Sequence, residues 1–392
     1  MSRRKLAVVT SHPIQYYAPV FRALAESRSI ELRVFYTWSQ SDGSQLFDAG
    51  FGAPVKWDIP LLEGYAYQFV PNVATKPGTE HFGGFKNPSL CREIEAWNAD
   101  AVLVYGWCHH SHLQAMRYFK GRIPVLFRGD STLLDRRSLW RAALRRGFLR
   151  WVYSHVDVAV AVGANSRDYF AWCGLPPRRI AVAPHSVDTV RFAQDTLADE
   201  SRAAEWRLNL GIAPQAVVFL YAGKLQPVKN PGLLLEAFGA LPPGAHLVFV
   251  GSGELEAELK AQACTQANVH FVPFQNQSLM PTVYRLGDVF VLPSRSETWG
   301  LALNEAMASG RAIIASSTVG SARDLIQPGM NGWIFASADA TSLAEVLRSA
   351  FNAGRAGLKL MGDAGLARSV HWSTQESARC IAEVVAAVRV DS

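Results

Sequence analysis

The chain reads as an α/β protein made of two doubly wound, Rossmann-like domains facing each other across a cleft. Three observations predict this. Apolar, β-branched runs recur with helical stretches between them, the pattern of a parallel sheet covered on both faces. The rhythm occurs twice, separated by a polar stretch from Asp188 to Arg202 that reads as the linker. Clusters of glycine and charge fall directly after predicted strands, where open parallel sheets bind their ligands.

In chain order, the first set of strands is Leu6-Ala-Val-Val, Leu32 to Tyr36, Ala101 to Tyr105, Pro124 to Phe127 and Val156 to Val162. Amphipathic stretches such as Tyr17 to Ala25 and Leu113 to Phe119 separate most of them. The second set is Val217 to Tyr221, Leu247 to Val250, Val269 to Val272, Val289 to Leu292 and Ala312 to Ala315. A last helical segment, Thr374 to Val388, has no strand of its own to serve. The expected domains are therefore 1–190 and 191–372, with 373–392 as a helix crossing back to the first.

At 392 residues the chain is long enough for two cores, and 49% hydrophobic with 18% charged residues describes a globular protein. No run approaches 18 uninterrupted apolar residues, as a membrane span would need. Five scattered cysteines show neither disulfide nor metal-ligand spacing. With an N-terminus lacking a signal pattern, they suggest reduced thiols in a cytoplasm. A net charge of +6 and pI of about 9.1 favour anionic substrates or a lipid surface.

Most chemistry is concentrated between Ser294 and Gly310. Glu297 and Glu305 lie eight positions apart around a strand-to-helix turn. Thr298, Trp299, Gly300 and Leu301 supply amides at the helix start, which attract phosphate, and carboxylates accept hydrogen bonds from hydroxyls. A nucleotide-sugar has both features. After Tyr221, Gly223 allows a tight turn, and Lys224 and Lys229 project from one loop as cations for a leaving diphosphate. Gly251 and Gly253 follow another strand and permit close ligand approach, although a full dinucleotide fingerprint is absent because position 256 is Glu.

These segments, with Asp288-x-Phe-Val-Leu-Pro-Ser294 and Gly329-Met-Asn-Gly332, resemble in order and spacing the retaining, GT-B-fold glycosyltransferases of family 4 (glycosyl transferases group 1). The likeness is specific over roughly residues 180–340 and lies mainly in layout before that. It implies a nucleotide diphosphate-sugar held by the second domain, an acceptor held by the first, and neither metal nor other cofactor. By that resemblance Glu305 binds ribose hydroxyls, Glu297 binds the sugar, and Lys224 and Lys229 neutralise the diphosphate. The base is expected near Phe271 to Gln275, with Phe274 among its contacts.

Several positions depart from the family pattern. Lys224 stands where many members have Arg, Ser186 replaces a usual Gly, and Asp324 a usual Glu. The glycine-rich first loop is replaced by Thr10-Ser-His12-Pro-Ile-Gln15, and the strand expected to end in a Thr-x-His-Asp sequence ends Phe127-Arg-Gly-Asp130. Asp130 and His12 therefore become the first-domain candidates for catalysis, with an N-cap as the alternative role for Asp130. The cluster His109-His110-x-His112 lacks a carboxylate or Cys partner set for a metal.

Two stretches, Ser39 to Tyr65 with Phe47, Phe51, Trp57 and Tyr65, and Pro71 to Pro88, read as long irregular loops. Their aromatic rings suit either sugar stacking or core cover. Residues 136–151 read as a basic amphipathic helix able to meet an anionic membrane, with no recognisable nucleic-acid module. The competing readings are a catalytically silent sugar-nucleotide-binding partner and a sugar-nucleotide epimerase of the same fold.

Overall fold

The computed structural model describes residues 3–39, 46–48, 53–134 and 139–389. The first half of the chain contributes β1 Arg4–Thr10, β2 Ile30–Tyr36, β3 Leu46–Asp48, β4 Ala53–Val55, β5 Ala66–Phe69, β6 Ala101–Tyr105, β7 Val125–Gly129, β8 Val158–Ala161 and β9 Ile180–Val182. The second half contributes β10 Val217–Ala222, β11 Ala245–Val250, β12 Val269–Val272, β13 Val289–Leu292, β14 Ala312–Ser316 and β15 Gly332–Phe335. All ten strands read from sequence are present. The three missed in the sheets, β5, β9 and β15, are only three or four residues long and partly exposed.

Contacts gather Met1–Ser44, Pro60–Ser186 and Thr374–Ser392 into one unit, and Gln45–Ile59 with Val187–Ser373 into another. The first holds a parallel sheet in the order β5-β2-β1-β6-β7-β8-β9, the second one in the order β12-β11-β10-β13-β14-β15. In both, strand order reverses beside the first strand, between β1 and β6 and between β10 and β13. Loops leaving the strands at such a switch point diverge and leave a crevice. The sheets owe their burial to continuous apolar strands: β6 and β10 are buried along their whole length.

The terminal helix Thr374–Ala387 belongs to the first unit, where Ile381 and Val385 are fully buried in the core that also holds Phe21 and Leu24. The polar stretch read as a linker is instead mostly helical, Thr189–Ala193 and Thr196–Asn209. Its polar residues are structural. Asp188 caps the Arg191 amide at 3.1 Å, and buried Asp199 accepts from Thr282 Oγ1 at 2.7 Å. Of the irregular stretch 39–65, residues 40–45 and 49–52 with Phe51 lie outside the described residues. Tyr65 covers the core, its hydroxyl 2.7 Å from that of Tyr36. Lys56 and Asp58 hold the second unit, the Lys56 carbonyl accepting from Asn276 Nδ2 at 2.7 Å and Asp58 from the Ser278 amide at 3.0 Å.

Candidate active site

At the switch point of the second unit, the loop after β10 carries Lys224 and Lys229 and the loop after β13 carries Glu297. A 3-10 turn, Pro227–Lys229, presents Lys229, which forms an ion pair with Glu297. The Arg295 amide donates to the Val228 carbonyl at 2.9 Å, so the two loops are joined by backbone as well. Lys224 is half-buried, and the Tyr221 hydroxyl donates to its carbonyl at 2.6 Å.

The helix Leu301–Ala308 begins at Gly300, whose φ of 92° favours glycine. A side chain there would also press on Leu292 and Val319 at 2.9 Å. Gly320, in the loop after β14, seats the same turn: a Cβ on it would lie 1.9 Å from the Thr298 carbonyl oxygen. Its amide donates to the Glu297 carbonyl at 3.0 Å, and the Ser321 amide to that of Trp299 at 2.9 Å. Thr298 is exposed at this turn and Leu301 partly so. Glu305, one turn into the helix and 2% exposed, accepts a hydrogen bond from the Tyr284 hydroxyl at 2.6 Å.

Several of the sequence-read residues also pack within the unit. The Trp299 indole, 3% exposed, donates to Asn304 Oδ1 at 2.9 Å and packs on Trp372, so its ring is committed to the core. Gly251 and Gly253, read as room for a ligand, also lie close against the chain itself. A Cβ on Gly251 would lie 2.0 Å from the Gly223 carbonyl oxygen, and one on Gly253 2.5 Å from that of Leu225. Phe274 sits half-buried in the loop after β12, at the far edge of the sheet from Glu297.

In the first unit, His12 follows β1 and His109 follows β6, on either side of that sheet's switch point. Burial, with His109 adding to it, pushes the His12 imidazole down to about 4, and its Nδ1 has no hydrogen-bond partner among the described residues. His109 packs on Phe85, the rings tilted with centroids 4.1 Å apart, and His112 Nδ1 donates to the Tyr105 and Gly106 carbonyls at 3.1 and 3.0 Å. Both are structural commitments, and no group of three His, Cys, Asp or Glu suited to a metal occurs among the described residues.

Asp130, directly after β7, has no helix to cap, because the next described helix begins at Leu139. It lies instead within electrostatic reach of Tyr17, Cys108 and His185. Sequence reasoning missed this cluster. Arg128, 4% exposed, donates to the Ala183 and Pro184 carbonyls at 3.0 Å each. Burial and then Arg128 push His185 down to about 3 against the opposing pull of Asp130. Tyr17 packs on Tyr105 at 4.7 Å and on His185 at 6.2 Å. No spacing in the sequence links residues 17, 105, 128 and 185.

Two parallel-sheet Rossmann-like units are the architecture of the GT-B class, to which many glycosyltransferases belong. Residues 203–360 match the family model Glycosyl transferases group 1, and residues 22–191 match Glycosyltransferase Family 4. The chain belongs to this family of glycosyltransferases. Among curated relatives it is similar to the D-inositol 3-phosphate glycosyltransferase of Geodermatophilus obscurus, 34% identical over 50% of this chain and 46% of the relative. That of Nocardia farcinica is 30% identical over 59% and 53%. The chain thus spans about half the length of the curated relatives it matches. Among solved structures it is similar to Anabaena HepE in complex with UDP and glucose, with a TM-score of 0.71 and 17% identity over 98% of this chain and 100% of the other. WaaG, a glycosyltransferase involved in lipopolysaccharide biosynthesis, matches with a TM-score of 0.67 and 15% identity over 98% and 100%.

Proposed function

We propose that this chain transfers a sugar from a nucleotide diphosphate-sugar to an acceptor hydroxyl, with retention at the anomeric carbon and without a metal ion. The observation that carries the reading is the arrangement at the second unit's switch point. Lys229 is paired with Glu297, and the helix that starts at Gly300 carries buried Glu305 one turn further on. In the proposed complex Glu305 accepts from the ribose hydroxyls and Glu297 from the sugar. Lys229, Lys224 and the amides from Thr298 to Leu301 stabilise the charge that develops on the diphosphate. That would supply the neutralisation other transferases draw from a divalent cation.

With no carboxylate nucleophile assigned to the far face of the sugar, we favour a front-face route. The bond from the anomeric carbon to the diphosphate oxygen breaks as the acceptor oxygen bonds on the same face. A phosphate oxygen of the leaving group takes the acceptor proton. Because HepE binds UDP, a uridine nucleotide is the first donor to test. The first unit would hold the acceptor, a glycan, glycolipid or small hydroxylated metabolite, with Asp130 and His12 nearest to it. We place the protein in a cytoplasm.

Calorimetry against UDP, GDP, ADP and dTDP with EDTA present tests the reading. Saturable binding of one nucleotide that Glu305→Ala abolishes supports it. No binding to any of them overturns it.

A further inference from the structure

The helix Leu139–Ser154 is apolar on two opposite sides. Leu149, Val152 and Tyr153 face the core of the first unit, at most 2% exposed. On the other side Trp140, Leu144, Phe148 and Trp151 are 62%, 69%, 47% and 44% exposed. Their spacing of four, four and three residues sets them along one stripe of a helix. Four large apolar side chains in line are more than the scattered singletons that any soluble surface carries.

The charges sort with the stripe. Arg141, Arg145, Arg146 and Arg150 fall along its two margins, and the sequence from 139 to 154 contains no Asp or Glu. Arg141 lies over the Trp140 ring at 5.1 Å, and Arg117 of a neighbouring helix over Trp151 at 5.8 Å. Arg146 is anchored by donating Nε–H to the Trp172 carbonyl at 2.8 Å. An outward apolar ridge bordered on both sides by cations, with tryptophan at each end, matches the depth profile of a bilayer interface. Rings and Leu reach the acyl boundary there while guanidinium groups meet lipid phosphates.

We propose that the outward face of the 139–154 helix is a seat for an anionic lipid bilayer. The seat rests on this helix and does not require the transferase reading. Seating would also bring the acceptor candidates to the bilayer. Phe148 packs on Trp107 at 5.5 Å, in the loop after β6, and the next residue, Cys108, is within electrostatic reach of Asp130. If the transferase reading holds, the stripe thus adjoins the end of the first unit assigned to the acceptor.

The test is sedimentation of the full chain with phosphatidylcholine vesicles, with and without phosphatidylglycerol, alongside a Trp140→Glu, Leu144→Glu double variant. Both side chains are exposed, so the variant should melt with the wild type. Expected are binding only to phosphatidylglycerol vesicles, reversal by salt, and at least about tenfold weaker partitioning of the variant. Absence of phosphatidylglycerol-dependent binding, or equal binding by the variant, overturns the proposal. So does a wild-type dimer that the variant breaks without any vesicle binding, since the stripe would then cover a second copy. UDP binding measured without vesicles tests the donor site separately, so failure of one reading leaves the other standing.

Discussion

The Tyr284 hydroxyl donates to Glu305 Oε2 at 2.6 Å, joining two helices of the second unit at a carboxylate that is 2% exposed. Glu305 is therefore oriented by a residue of the helix Met280–Leu286, outside the segment that carries it. Removing the hydroxyl with Tyr284→Phe leaves the charge in place and loosens its aim. A hydrogen bond to a charged group contributes about 1.5–3 kcal/mol. Nucleotide affinity is expected to fall by roughly tenfold, less than in Glu305→Ala, with the melting temperature only slightly lowered. Calorimetry on both variants checks this ordering, and equal affinity of Tyr284→Phe and wild type would contradict it.

The Lys229–Glu297 ion pair makes a second, asymmetric prediction. In the proposed complex the diphosphate competes with Glu297 for the lysine. Glu297→Gln frees Lys229, so UDP should bind at least as tightly as to wild type, while turnover of the sugar donor falls because a sugar-hydroxyl acceptor is weakened. Lys229→Met removes the cation and should lower both UDP affinity and turnover. Steady-state kinetics paired with UDP titration separates the two. A loss of UDP affinity in Glu297→Gln would show that the pair acts as a unit.

These two relationships mark where the sequence stopped being informative. Strands such as Val217–Ala222 are legible because both faces are buried, which leaves an unbroken apolar run. The candidate site was legible as far as chemistry sits in consecutive residues, as between Glu297 and Glu305. Tyr284 and the Tyr17–Tyr105–Arg128–His185 cluster were not, because contacts between elements far apart in the chain leave no periodicity to read. The stretch Thr196–Asn209 failed for another reason. Buried Asp199 and Arg207 are satisfied by ion pairs with Arg285 and Asp288, and an ion-paired helix looks like a polar linker.

The first unit should be acid-sensitive. Burial, reinforced by His109, pushes fully buried His112 from the usual 6.5 down to about 4, with the Gly106 and Tyr105 carbonyls opposing. His12 falls to about 4 and His185 to about 3. Between these values and 6.5 the unfolded chain binds protons that the folded one refuses, so stability falls as pH drops through that window and is level above it. For His112 alone the loss amounts to about 3 kcal/mol at pH 4, at 1.36 kcal/mol per unit. Thermal melts should show a plateau from pH 7 to 8 and a steep decline below 6.5, shallower in His112→Gln. An unchanged slope in that variant would remove His112 from the account.

The glycines after β11 give a stability prediction that separates packing from ligand binding. Gly251 has φ of 142°, and a Cβ on it would lie 2.0 Å from the Gly223 carbonyl oxygen, a backbone atom with no rotamer to yield. The two loops are already tied, the Gly223 amide donating to the Val250 carbonyl and the Leu225 amide to that of Ser252, each at 2.9 Å. Overpacking and a strained φ each cost about 1–3 kcal/mol, so Gly251→Ala should lose roughly 3 kcal/mol or more without any nucleotide present. Gly232, with nothing within 4 Å of its Cβ position and inside the helix Pro231–Phe238, is the control. Gly232→Ala should be neutral or gain about 0.5 kcal/mol from helix propensity. If Gly251→Ala instead melts with the wild type and only loses UDP binding, the glycine serves the ligand and the packing account is wrong.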